Sequence, residues 1–166
     1  KPVVAERDGE GYRIVPAKRE ITIRDLLTHT SGLGYGVDIA ADRWKAAGIQ
    51  KWYFADRDET MGDIVARMGA LPLESQPGEK WVYGYSIDVL GVVIERVTGQ
   101  SLDRFLHERL FEPLGMSDTY FYLPREKRAR LAKVWSPKKG GGRRLWHRDL
   151  DGLVVRAQLW VGDIAQ

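Results

Sequence analysis

Two tyrosines and a serine fall close together in Trp81-Val82-Tyr83-Gly84-Tyr85-Ser86, directly after a Pro77-Gly78 turn. A free phenol has a pKa of about 10 and is a poor base at neutral pH. A cation beside it favours phenolate, which can take a proton from a serine and return one to a leaving group. Gly84-Tyr85-Ser86-Ile87-Asp88 approaches the Gly-x-Ser-x-Gly nucleophile elbow, but Asp88 stands where the last glycine belongs, so Ser86 reads as a helix N-cap. A Ser-x-x-Lys spacing occurs at Ser136-Pro137-Lys138-Lys139, in a Gly/Lys stretch with no apolar helix after it. His29, His107 and His147 are far apart in sequence and lack metal-ligand spacing.

The elements that must position these groups are legible from pattern. Val3-Val4-Ala5 and Tyr12-Arg13-Ile14-Val15 flank Asp8-Gly9-Glu10-Gly11, which predicts a hairpin over residues 1–20. Ile21 to His29 is a short helix capped by Thr22, with Asp25 in its first turn. Gly32, Gly34 and Gly36 then predict a flexible loop. Asp38 to Gly48 is helical with Trp44 inward, and Thr60 caps a helix to Met68 with Ile64, Val65 and Met68 as its stripe.

Trp81, Tyr83 and Tyr85 alternate, so in an extended segment they share one face. Ile87 to Val97 is helical, with Ile87, Leu90, Val93, Ile94 and Val97 at helical period and Gly99 as its C′ residue. Ser101 caps the next helix, whose core face is Leu102, Phe105, Leu106 and Leu110. Tyr120-Phe121-Tyr122 is extended, Pro124 to Lys133 is a basic helix, and Ser136 to Arg144 is loop or linker. Leu153 to Val161 alternates only roughly.

The chain has 166 residues and a formal charge of +3. Pro124 to Arg148 carries ten of the 26 Lys/Arg and only one of the 23 acids, so the remainder is net acidic. That gives no case for nucleic-acid binding by the whole chain. The basic segment reads as a solvated helix and linker, with an acidic or nucleic-acid partner as the alternative. Cysteine is absent, which excludes disulfides and thiolate metal sites and leaves cytoplasm and periplasm both open. No apolar run approaches the roughly 18 residues of a membrane span.

Four segments share one pattern. They are Ile21-Thr22-Ile23-Arg24-Asp25-Leu26-Leu27-Thr28-His29-Thr30-Ser31-Gly32-Leu33, Pro77-Gly78-Glu79-Lys80-Trp81-Val82-Tyr83, the run Asp88 to Gly99, and Leu110-Phe111-Glu112-Pro113-Leu114-Gly115-Met116. In this order and spacing they resemble the serine β-lactamase and penicillin-binding-protein superfamily, in its class C β-lactamase and family VIII carboxylesterase branch. The resemblance covers about Ile21 to Thr119. It implies a helical subdomain set against an antiparallel sheet, acyl transfer to a serine and then to water, a small-molecule ester or β-lactam substrate, and no metal or organic cofactor. It implies Tyr83 as a catalytic group and Tyr85, third residue of the same motif, as a substrate-binding one.

The chain departs from that family in three places. No Ser-x-x-Lys helix precedes the first motif, the third position of the tyrosine motif is not asparagine, and no late Lys, His or Trp motif near glycines is recognisable in Gly140-Gly141-Gly142 or Trp160-Val161-Gly162. The expected fold is therefore mainly α with a short β-hairpin, the helical part of a β-lactamase/transpeptidase-like α+β fold with its sheet largely missing. The expected units are a hairpin arm at 1–20, the helical subdomain at 21–135 and a basic loop and divergent tail at 136–166. Truncation, a shifted frame or true divergence would each produce this pattern. The expected function is a serine hydrolase present as a partial chain and inactive alone, with a non-catalytic binding module as the alternative.

Overall fold

In the computed structural model, residues 2–50, 59–132 and 135–145 are described. His147 and the 153–161 and 160–162 stretches named above lie outside them.

The hairpin forms where the turn residues place it. β1 (Val3–Asp8) pairs antiparallel with β2 (Gly11–Pro16), in a register from Val3 opposite Pro16 to Asp8 opposite Gly11. Gly9, at φ +58°, supplies the left-handed turn position that a side chain would strain. The far edge of β1 is covered, because Leu73 donates to Val3 O (2.8 Å) and Ala5 donates to Leu73 O (2.9 Å). The hairpin thus enters the core through Val4 and Ala5.

Three helices close that core. α1 (Ile23–Leu27) starts at Thr22 in a full capping box with Asp25. α2 (Ala41–Ala46) is shorter than the expected 38–48 span, yet it carries Trp44 to complete burial, with Nε1 donating to Pro72 O at 3.1 Å. α3 (Met61–Met68) is capped by Thr60 and buries Ile64 and Met68. Val4, Leu26, Leu33, Trp44, Ile49, Ile64, Met68, Leu73 and Tyr85 form one continuous apolar cluster.

α4 (Ser86–Thr98) packs against α1, α3 and α5 (Leu102–Leu106). Its most buried positions are Ser86, Gly91, Val92 and Glu95; of the expected apolar stripe, Leu90 and Val93 are partly buried against the core cluster. Ile87 is half-exposed and Val97 is 80% exposed. Glu95 is held inward by a hydrogen bond. Its carboxylate accepts from Leu102 N (2.8 Å) and caps α5, a role expected of Ser101, whose side chain makes no capping bond. Burial pushes the Glu95 carboxyl above its ordinary pKa.

α5 runs into a single π-helical turn, His107–Phe111, where Glu112 N reaches back to His107 O at 2.9 Å. The extra residue per turn rotates the helix phase. Leu110, expected inward, is therefore exposed, and Phe111 is buried and stacked with Phe121 at 6.3 Å.

Tyr120-Phe121-Tyr122 forms bends rather than a strand, and the basic helix is a 3-10 helix over Arg125–Arg130. The expected linker at 136–144 contains a hairpin instead: β3 (Trp135–Pro137) pairs with β4 (Arg143–Leu145) around Gly140, Gly141 and Gly142, all at positive φ. Among the described residues, no helix is long and apolar enough to cross a membrane.

Candidate functional site

Tyr83 lies on an irregular segment pinned at both ends. Val82 N donates to His29 O (2.8 Å) and Gly78 N donates to Thr30 O (2.8 Å), so this segment lies against the residues following α1. His29 has φ +55°, an uncommon left-handed conformation for a residue other than glycine. At Gly84 the approach is closest: a Cβ there would stand 2.6 Å from Gly34 Cα, inside any van der Waals contact. Only glycine allows the two segments to touch, and this contact sets where Tyr83 and Tyr85 project.

The expected shared face is only partly formed. Trp81 and Tyr83 stack at 5.8 Å and 15°, both more than half exposed, and the His29 ring lies 4.9 Å from that of Tyr83. Tyr85 turns the other way and is 1% exposed, stacked on Trp44 at 6.0 Å. A substrate contact by Tyr85 has no open face in this arrangement, because backbone that is not a regular strand does not keep the alternation.

Between the two tyrosines sits Tyr35, which sequence reasoning passed over as part of a glycine loop. Its ring meets Tyr83 edge-on at 5.6 Å and Tyr85 edge-on at 5.0 Å. Burial, then the neighbouring Tyr83 phenol and the charge of Asp88, push the Tyr35 phenol above its ordinary pKa. Burial also pushes Asp88, in the first turn of α4, up to about 6. Spacing held no signal for Tyr35; the one available cue was an aromatic residue between glycines.

Ser86 is not an N-cap. It is the first residue of α4, fully buried, and its hydroxyl pairs with that of Ser31 at 2.8 Å, while Ser31 Oγ also accepts from Leu33 N at 3.1 Å. A buried, hydrogen-bonded hydroxyl joins two segments and is not offered to a substrate. Ser136 falls in strand β3, not at the start of a helix where Ser and Lys three apart share a face. The glycine loop is closely packed. Cβ atoms at Gly32 and Gly34 would overlap Ser75 O and the Glu74 carboxyl, and one at Gly36 would stand 2.6 Å from Trp44 Cβ. In the basic segment, Lys127 and Arg130 are held by Asp118 at 2.8 and 2.7 Å. Among the described residues no three His, Asp or Glu side chains gather to hold a metal ion.

The segments so joined are those that carry the family resemblance. A family model described as beta-lactamase matches residues 13–156. This chain belongs to the beta-lactamase family. Among curated relatives, lovastatin esterase of Penicillium rubens is 41% identical over 122 residues, covering 72% of this chain and 29% of the relative. Esterase EstB of Burkholderia gladioli is 40% identical over 102 residues, covering 61% and 26%. Among solved structures, the simvastatin synthase LovD of Aspergillus terreus, as its LovD6 mutant, superposes with TM-score 0.62 and 31% identity, covering 87% of this chain and 34% of that one. The hydrolase EstCE1, titled as having promiscuous acyltransferase activity, superposes with TM-score 0.62 at 29% identity, over 76% and 32%. The chain thus spans about a third of the length of these beta-lactamase-family relatives.

Proposed function

We propose that this chain is the mainly helical part of a serine esterase or acyltransferase, and that Tyr83 is its acid–base group. The observation that carries this is the placement of Tyr83. It is held on anchored backbone, more than half exposed, and in edge-on contact with a second tyrosine. The esterase and acyltransferase relatives support small-molecule esters as the substrate class.

In that reaction a serine hydroxyl adds to the ester carbonyl while the Tyr83 phenolate takes its proton. The phenol then returns the proton to the departing alkoxide, and water or a second alcohol discharges the acyl-serine by the same proton path. The serine and the lysine that lowers the tyrosine pKa come from a Ser-x-x-Lys helix, which these residues do not supply. The chain alone is therefore inactive, and no cofactor enters the chemistry. Tyr85 supports the site from beneath, through Tyr35.

The test is p-nitrophenyl butyrate hydrolysis. The chain alone is expected to give no turnover above buffer. Joined to an upstream Ser-x-x-Lys segment it is expected to hydrolyse the ester, and Tyr83→Phe lowers kcat by about 100-fold or more, the scale of lost general acid–base catalysis. A complete enzyme indifferent to Tyr83→Phe would refute the assignment.

A further inference from the structure

We infer that Glu74 is a positioning residue for the tyrosine pair: its carboxyl lies flat on Gly34 and holds the loop of residues 32–36 so that Tyr35 meets Tyr83. The inference rests on the acid–base reading of Tyr83 for its catalytic consequence, though not for its geometry.

A Cβ placed on Gly34 would find its three nearest atoms all in the Glu74 carboxyl, which therefore occupies the space a side chain would fill. On another side of the same glycine sits Gly84, whose own Cβ would stand 2.6 Å from Gly34 Cα. Carboxyl, Gly34 and Gly84 form a close-packed series, and Gly84 is the residue between Tyr83 and Tyr85. Glu74 N also donates to Gly32 O at 2.8 Å, so the same residue meets the loop through both its backbone and its carboxyl. Tyr35 is the side chain projecting from the middle of that stretch. Burial raises the Glu74 carboxyl above its ordinary pKa, the Asp38 charge adds to this and the Lys80 charge opposes it.

The arrangement therefore specifies shape over Gly34: glutamine fills the volume that the carboxyl fills, and alanine leaves it empty.

The experiment uses two readouts. In this chain, the Tyr35 phenol is titrated by ultraviolet difference against a Tyr35→Phe variant. Glu74→Ala is expected to return the raised Tyr35 titration toward the ordinary value of about 10, and Glu74→Gln to leave it raised. In the enzyme completed with a Ser-x-x-Lys segment, Glu74→Ala is expected to lower kcat about 10-fold with KM changed less than about 2-fold, and Glu74→Gln to restore kcat, as for lost alignment rather than lost binding. Should Glu74→Ala fail to fold, Glu74→Ser also withdraws the carboxyl from Gly34, and the same readouts apply. An unchanged Tyr35 titration in either folded variant overturns the proposal. If instead Tyr83→Phe leaves turnover intact, the acid–base reading fails, and the Tyr35 titration still decides the role of Glu74.

Discussion

Asp25 does more to hold the motifs together than any other single side chain described. Its carboxylate takes both Arg19 Nη atoms (2.6 and 2.9 Å), Thr22 N (2.8 Å), Thr22 Oγ1 (2.7 Å) and Thr30 Oγ1 (3.0 Å). The Arg19 guanidinium in turn lies over Gly78, where φ +87° and the absence of room both demand glycine. One carboxylate thus fixes the start of α1, the chain after it, and the turn leading to Tyr83. The Arg19 guanidinium, then the Thr22 and Thr30 donors, hold the Asp25 carboxyl well below the usual carboxylate range. A depressed folded-state pKa contributes stability that is complete above the unfolded value of about 3.9 and is lost as pH falls below it. Asp25→Ala is expected to cost about 3 kcal/mol at pH 7, the scale of breaking a buried pair and a cap, and visibly less at pH 3. Urea unfolding at the two pH values checks this; a gap that does not narrow in acid would contradict it.

At the scale of elements, the helix ends and faces set by nearby residues were readable, as with Ile64 and Met68 on α3, and those set by distant partners were not. Thr22, Thr60 and Gly99 sit where capping chemistry predicts, because a cap is decided by residues three or four apart. The face of α4 is decided by Glu95 reaching the N-terminus of α5, and the position of Ser86 by Ser31, 55 residues away in sequence. No local pattern carries either fact. The π turn is a third case, since it moves Phe111 inward in place of Leu110 without any change in apolar spacing. The aromatic cluster divides the same way: Tyr83 was singled out through its motif, whereas the contact of Tyr35 with it became visible only when the loop folded back. Gly99 offers a clean test of the local part. It ends α4 at φ +67° with nothing within 4 Å of a would-be Cβ. Gly99→Ala is therefore expected to destabilise the chain by about 1 kcal/mol through backbone strain alone, with an unchanged urea m-value.

At the scale of the molecule, the apolar residues left outside point to how the chain is completed. Ile23 (51% exposed) and Leu27 (58%) lie on the outward side of α1, and Ile87 and Val97 on the outward side of α4. Isolated exposed apolar residues need no explanation, but two packed helices that each turn such residues outward leave surface that is ordinarily covered. The matched part of this chain covers 29% of one relative and 34% of another, and the family resemblance implies a sheet set against the helical part. We attribute the exposed residues to the face that meets that sheet. This reading separates from that of a self-sufficient binding module by one measurement. A piece with an uncovered face is expected to enhance the fluorescence of anilinonaphthalene sulfonate under native conditions and to lose that enhancement when the remaining two-thirds of an esterase relative is supplied. A self-sufficient module unfolds cooperatively and binds no dye. Dye-silent, cooperative unfolding of this chain would therefore remove the partial-enzyme reading and leave the tyrosine cluster as a binding surface. Dye binding relieved by the partner segment would place Tyr83 at the seam between the two parts, where a serine from the other part can reach it.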